Sequence, residues 1–266
     1  MSAMSDAWGM RERFGSLEVM VAADAAEAGK AAAAMGGRWV REAVARDGRA
    51  AVVVATGASQ FEVLAALVAE PEVAWEKVTF FHLDEYLGLP VRHPASFRRF
   101  LWDRLHARLP VPPRAFHYLD GEAADPVDEC RRVGALMAAE PVAVGFIGIG
   151  ENAHLAFNDP PADFETEEPY RVVALDEACR RQQLGEGWFP TLEAVPRQAI
   201  SMSVRQILKC RHLVVTVPDA RKAVAVRDSL VGPITPMVPG SILREHGACT
   251  VILDPASASL LPDHRS

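Results

Sequence analysis

Residues 142–161 read VAVGFIGIGENAHLAFNDPP, and the polar half of this stretch decides the fold and the chemistry together. Val142–Ile149 is the pattern of a strand buried on both faces. Gly148–Ala153 (GIGENA) then fits the loose dinucleotide fingerprint G-x-G-x-x-A. That fingerprint requires a long helix starting near its second glycine, in the first βα unit of its domain. Here Asn158-Asp159-Pro160-Pro161 stops any helix after very few turns, because adjacent prolines break it, and the match lies mid-chain. The stretch therefore reads as a glycine-rich turn that aims His154 into a crevice, with Asp159 near enough to orient its imidazole. A packed, internally satisfied histidine is the alternative.

Working outward, short β-branched runs alternate with helical patterns. Strands are predicted at 18–22, 51–55, 78–83, 142–149, 199–203, 212–217 and 249–253, with helices near 24–47, 60–70, 95–106, 126–140 and 221–230. AVVVA, VAVGFIGI and HLVVTV are almost wholly apolar, as strands covered by helices on both faces must be. The expected fold is a three-layer α/β/α, Rossmann-like domain spanning the chain, with a doubly wound, mainly parallel sheet. The segment from about 158 to 195 is rich in Pro, Glu, Gln and Gly and lacks a long apolar strand, so it reads as a lid with its own short helices. After Asp254 the chain reads as a frayed end, apart from Leu260-Leu261. No internal repeat or low-complexity tract is evident.

The 266 residues are half hydrophobic and 24% charged, with a net charge of −7. Such a chain can bury a large core, and its acidity argues against nucleic acid or an anionic membrane surface as partner. An anionic small molecule in a local basic pocket remains compatible with it. The four cysteines, Cys130, Cys179, Cys210 and Cys249, are far apart, without C-x-x-C spacing, so they read as reduced thiols rather than a metal site or disulfide framework. The first residues carry acids and no unbroken apolar run, unlike a signal peptide, and no run approaches a membrane span. A cytoplasmic protein is expected.

In open α/β sheets ligands bind beyond the carboxyl ends of the strands, so the residues directly after each apolar run are the ones to inspect. AVVVA is followed by Thr56-Gly57-Ala58-Ser59. Its backbone N–H groups, at a helix start and supported by the Thr56 and Ser59 hydroxyls, would suit an anion; an ordinary serine-capped turn is the alternative. No G-K-[ST] follows, so it is not a Walker loop. The run at 78–83 is followed by Asp84-Glu85-Tyr86. Alternation turns Asp84 and Glu85 to opposite faces, so one would serve proton transfer and the other structure; Asp84 is read as the proton-transfer residue and Glu85 as a further site candidate. HLVVTV is followed by Pro218-Asp219-Ala220-Arg221-Lys222, where cations oppose a helix dipole and so suggest a nearby anion. Arg181, in the lid, is a second candidate anion ligand. For both cations the alternative is a solvated side chain. All four strand ends share one edge of the proposed sheet.

TGAS, FFHLDEYLGLP with HPASF, GIGENAHLAFNDPP and VPDARKA, in this order, resemble the glucosamine-6-phosphate deaminase/isomerase family, whose sister enzymes are the 6-phosphogluconolactonases. The resemblance runs from about Val19 to Asp254. His154-Leu155-Ala156-Phe157-Asn158 and Asp84-Glu85-Tyr86 look like the deaminase branch, since lactonases typically continue after the histidine as H-T-A-S-L-F. The resemblance implies conversion of glucosamine 6-phosphate to fructose 6-phosphate and ammonia, without a metal or organic cofactor. It implies that His154, oriented by Asp159, opens the sugar ring, and that Asp84 moves a proton between C2 and C1. It also implies that the Gly57–Ser59 backbone, Arg181 and Lys222 hold the phosphate. Two departures from the family pattern stand out. Asn152-Ala153 stands where aspartate-glycine is usual, and Asp159 stands where the family has a glutamate. Both departures fall on ring opening, which makes Asn152 a site residue of interest. Lactone hydrolysis or another phosphosugar reaction, and non-catalytic phosphosugar binding, are the other readings. The sequence leaves homo-oligomerisation open.

Overall fold

A computed structural model describes residues 10–262; residues 1–9, read above as lacking a signal peptide, and 263–266 of the tail lie outside them. The strands are β1 (Met10–Phe14), β2 (Leu17–Val21), β3 (Ala50–Val54), β4 (Val78–His82), β5 (Asp84–Tyr86), β6 (Ala115–His117), β7 (Val142–Ile147), β8 (Tyr170–Ala174), β9 (Gln198–Met202), β10 (His212–Val217) and β11 (Cys249–Leu253). The α-helices are α1 (Ala25–Asp47), α2 (Phe61–Val68), α3 (Phe97–Arg104), α4 (Pro126–Ala138), α5 (Glu177–Gly185), α6 (Val204–Leu208) and α7 (Ala223–Val231). Eight strands form one sheet in the order β1-β2-β11-β10-β7-β3-β4-β6, and β5-β9-β8 form a second, smaller one. In the large sheet only the edge pair β1–β2 is antiparallel. This is the doubly wound, mainly parallel sheet expected, and β10 beside β7 forms its central pair.

Alternation along the strands explains the layers. Val52, Val54, Phe80, Val144, Phe146 and Val214 pack with α1, α2 and α3 on one face, whereas Ala51, Val53, Phe81, Ile147 and Val215 pack with α4, α6 and α7 on the other. With both faces buried, no strand position needs a polar residue, hence the unbroken apolar runs. Helix α1 starts at Asp24, whose carboxylate accepts from the Glu27 N–H at 2.9 Å, and stops at left-handed Gly48 (φ 72°). Gly36 sits where a Cβ would overlap the Phe146 ring, so only glycine lets α1 lie this close to β7. No helix among the described residues is long and apolar enough to cross a membrane.

The structure corrects the sequence reading in four places. The predicted strand 199–203 is β9, which pairs antiparallel with β5 and β8 outside the main sheet. The predicted strand 78–83 is β4, ending at His82, and a further strand, β5, starts just past it; between them the Leu83 N–H donates to Val54 O of β3 while its carbonyl accepts from Met202 N of β9. Leu83 is thus the point where the chain steps from one sheet to the other. Strands β1, β6 and β8 were not predicted: β1 is charged at the edge, β6 has three residues, and β8, five residues long, lies in the segment read as lacking a long apolar strand. Finally, the tail is anchored up to Leu261. The Asp254 carboxylate accepts from Ser257 N (2.7 Å) and Asp219 N (3.1 Å), and Ala258 and Leu261 pack on the core.

Candidate active site

The carboxyl ends of β3, β4, β7 and β10 open into one crevice of about 420 Å³, roofed by α5. The size falls in the range typical of small-molecule sites. Thr56, Gly57, Ala58, Ser59, Asp84, Gly148, Gly150, His154, Arg221 and Lys222 all line it.

At the end of β3, Gly57 takes φ 89°, open to glycine alone without strain. The turn it makes leads through a 3-10 turn, Ala58–Gln60, into α2. The Gln60 side chain, fully buried, donates to Ser59 Oγ (3.1 Å) and to Ile147 O of β7 (3.3 Å), fixing this loop against the neighbouring strand end.

Asp84 and Glu85 part company as alternation requires. Asp84, 6% exposed, faces the crevice. Glu85 does not: it points away, into the start of α3. There it accepts from Tyr86 N (2.9 Å), Ser96 Oγ (3.1 Å), Phe97 N (3.1 Å) and Arg98 N (2.7 Å), with the Arg98 guanidinium 3.4 Å away. Glu85, a candidate site residue from sequence, is therefore a structural capping acid. Burial raises both carboxyls. Asp84 is pushed up to about 8, with the Glu85 charge adding to the effect, while backbone N–H groups and Arg98 offset part of the rise at Glu85. Between them, Glu85 has the partners for a charge, so the proton resides on Asp84 at neutral pH. Glu85→Ala is expected to cost about 3–5 kcal/mol, because it strands buried backbone and hydroxyl donors and takes away one of the three carboxylates around the largely buried Arg98; urea unfolding monitored by circular dichroism measures this.

In the loop after β7 the glycines serve packing. A Cβ on Gly150 would overlap the His154 ring, and one on Gly148 would lie 3.0 Å from Ser59 Oγ. The glycines admit a histidine and a serine against the backbone, with no helix following. Gly150 N donates to His154 O (2.9 Å), and Ala153 and Ala156 adopt left-handed φ of 66° and 52°, strained conformations of the kind held at functional sites. Asn158 Nδ2 donates to Leu155 O within the loop (2.7 Å) and to Met202 O of β9 (2.8 Å), which pins the loop to the small sheet.

His154 Nδ1 lies 3.0 Å from Asp159 Oδ1, both side chains nearly buried. With Nδ1 committed, proton exchange with a bound molecule falls to Nε2. Asn152 stands behind the pair. Its Nδ2 donates to the same Asp159 oxygen (3.0 Å), and its Oδ1 accepts from His154 N (3.2 Å). Asn152 thus orients the acid and the loop without lining the crevice. Burial works against an ionised Asp159, yet the hydrogen bonds from His154, Asn152 and Asp176 N leave its carboxyl below the usual range. The shorter aspartate side chain therefore reaches its histidine. Cys179 brings its sulfur within 4.8 Å of ligand atoms of His154 and Asp159. Burial pushes this thiol far up, so the trio is a hydrogen-bonded cluster with poor thiolate character.

After β10, Asp219 (φ 91°) accepts from Arg221 N and is itself held by Asp254. This turn directs Lys222, 8% exposed, into the crevice. Burial lowers the Lys222 ammonium's pKa; Glu186 and Glu151 pull it back up and Arg221 pushes it further down. Arg221 itself pairs with Asp219 (2.8 Å) and Glu151 (3.5 Å).

The segment read as a lid supplies a correction. Arg181 does not reach the crevice: its side chain is 64% exposed and pairs with Glu177 at 2.8 Å on the outer face of α5. The helix turns Gln182, Gln183 and Glu186 inward instead. Gln182 Oε1 accepts from Glu151 N (2.8 Å), and Gln183 Oε1 accepts from the Tyr86 hydroxyl (2.7 Å), so α5 is tied to the loop after β7 and to β5. These three residues were missed from sequence. The signal was available in the spacing, since 179, 182, 183 and 186 share one helical face and 177 and 181 the other.

A doubly wound sheet that gathers a buried carboxyl, a His–Asp pair and a buried lysine beyond its strand ends has the layout of a small-molecule α/β enzyme, and the comparisons say which family it belongs to. Residues 23–252 match the family described as glucosamine-6-phosphate isomerases/6-phosphogluconolactonase, and the chain belongs to that family. It is 34% identical over 245 residues to a glucosamine-6-phosphate deaminase of Lactobacillus delbrueckii subsp. bulgaricus, covering 92% of this chain and all of that one. A deaminase of Bacillus cereus is 32% identical over 228 residues, 86% of this chain and 84% of its own. Among solved structures, a monomeric glucosamine-6-phosphate deaminase superposes with a TM-score of 0.83 at 29% identity, over 91% of this chain and 99% of that one. A 6-phosphogluconolactonase from Trypanosoma brucei shares the fold, with a TM-score of 0.71 at 17% identity over 92% and 98% of the two chains.

Proposed function

We propose that this protein is a glucosamine-6-phosphate deaminase. The observation that carries the proposal is the convergence, in one crevice, of a buried carboxyl raised to about 8 (Asp84), the His154–Asp159 pair, and a buried lysine facing the Thr56–Ser59 loop. The Gly57–Ser59 backbone and Lys222 hold the substrate phosphate. His154 Nε2 shuttles the proton between the anomeric hydroxyl and the ring oxygen, opening the ring to the aldehyde; Asp159 and Asn152 hold the imidazole for this step. Ionised Asp84 takes the C2 proton and returns it to C1. The C1–C2 enolamine becomes a C2 iminium, water adds at C2, and ammonia leaves with fructose 6-phosphate as the other product. A carboxylate short of stabilising partners is a strong base, which suits removal of a carbon-bound proton.

Purified protein incubated with glucosamine 6-phosphate is expected to release ammonia and fructose 6-phosphate in equal amounts. Retained binding of the sugar phosphate without turnover would assign the crevice to a different phosphosugar reaction. Lys222→Met is expected to raise KM by about 10- to 100-fold, the weight of one charge-assisted contact, with a smaller change in kcat. An unchanged KM would remove Lys222 from the phosphate site.

A further inference from the structure

The phosphate end of the crevice carries an unusual charge balance. Among the described lining residues its basic side chains are Arg221 and Lys222. Arg221 is already shared between Asp219 and Glu151. A third carboxylate, Glu186, comes from the lid: it caps the end of α5 and lines the crevice. One of its oxygens accepts from Gln182 Nε2 at 3.1 Å. The other lies 4.0 Å from where a Cβ would stand on Gly57, over the loop that would receive a phosphate. Glu186 also interacts electrostatically with both Lys222 and Arg221. A phosphate dianion approaching Gly57 and Lys222 therefore meets a carboxylate already placed there, and two like charges cannot share one small site cheaply.

The local backbone gives Glu186 somewhere to go. Gly185 precedes it and Gly187, at φ 82°, follows it, with open space around both where a Cβ would stand. The end of α5 can thus re-aim the carboxylate while Gln182 and Gln183 keep the rest of the helix tied down. We propose that Glu186 is a specificity-determining residue, an internal anion at the phosphate end of the crevice that the substrate's phosphate has to displace. Lid carboxylate and phosphate exclude one another there, so this protein holds the phosphate more weakly than its lysine and loop would otherwise allow. The inference rests on the phosphosugar reading of the site.

The test is titration calorimetry of wild type, Glu186→Gln and Glu177→Gln with inorganic phosphate and with fructose 6-phosphate. KM and kcat for glucosamine 6-phosphate are measured alongside. Glu177 lies on the same helix but faces solvent beside Arg181, so its change alters net charge equally without touching the crevice. Glu186→Gln is expected to bind both probes about 10- to 100-fold more tightly and to lower KM with a smaller change in kcat, whereas Glu177→Gln matches wild type. Equal or weaker binding by Glu186→Gln, with wild type binding fructose 6-phosphate normally, overturns the inference and leaves the phosphosugar reading standing. A like gain in Glu177→Gln also overturns it, since net charge alone would then be responsible. If none of the three proteins binds either probe, the phosphosugar reading falls as well.

Discussion

Asp84→Asn is expected to lower kcat for glucosamine 6-phosphate by about 10²–10⁴-fold, the usual weight of one acid–base group, while fructose 6-phosphate still binds. The amide keeps the size and polarity of the side chain and removes only its ability to take a proton. The wild-type pH profile carries the same information. Asp84 must be ionised to act as a base and its carboxyl titrates at about 8, so kcat/KM should climb with pH and level off above that value. A flat profile from pH 6 to 9, or a variant within tenfold of wild type, would remove Asp84 from the proton transfer. Stability moves the other way. A carboxyl whose folded pKa lies above its unfolded value favours the fold while it is protonated in both states, below about pH 4. That contribution is lost progressively as pH rises towards 8. Asp84→Asn should therefore unfold at a higher temperature than wild type at pH 8, with the gap closing near pH 4.

His154→Gln should reduce kcat by a similar factor of about 10²–10⁴, through a separate step. A substrate analogue that cannot close into a ring, such as glucosaminitol 6-phosphate, distinguishes the two. If His154 serves ring opening, the variant binds this open-chain analogue as wild type does, because no ring remains to open. Asp159→Asn removes the negative charge beside His154 Nδ1 and leaves only a neutral amide oxygen to accept there, and should be damaging alone. Added to His154→Gln it should cost little more, since groups that act as a unit are not additive. A double variant much slower than either single one would show that Asp159 has work of its own.

Much of this was legible from the chain. AVVVA, VAVGFIGI and HLVVTV reveal a sheet covered on both faces because burial leaves no room for polar positions, and the polar residues after them mark the crevice. Thr56–Ser59, Asp84, His154 and Lys222 all reach it, because strand direction alone sets which ends converge. What local pattern could not show was where side chains from a second sheet and a short helix would point. Glu85 neighbours a crevice residue yet serves Phe97 and Arg98, a partnership made by chain folding across a loop. Arg181 bears the right charge on the wrong helical face, and the inward face of α5 carries amides and Glu186 instead. Asn152, which departs from the family pattern, finds its use only once Asp159 is seen beside it.

Leu83 belongs to both sheets, and Asp84 is the first residue beyond it, on the strand that pairs with β9 and through it with β8, from which the chain runs on into α5. The proposed base is therefore mounted on the cover of the crevice, whereas His154 and Lys222 follow strands of the main sheet. Anything that tilts the small sheet changes the spacing between the two halves of the reaction. On the proposed roles, covering the substrate and aligning the base would be a single mechanical event, and a cover reshaped for a bulkier sugar would carry the base out of register with it.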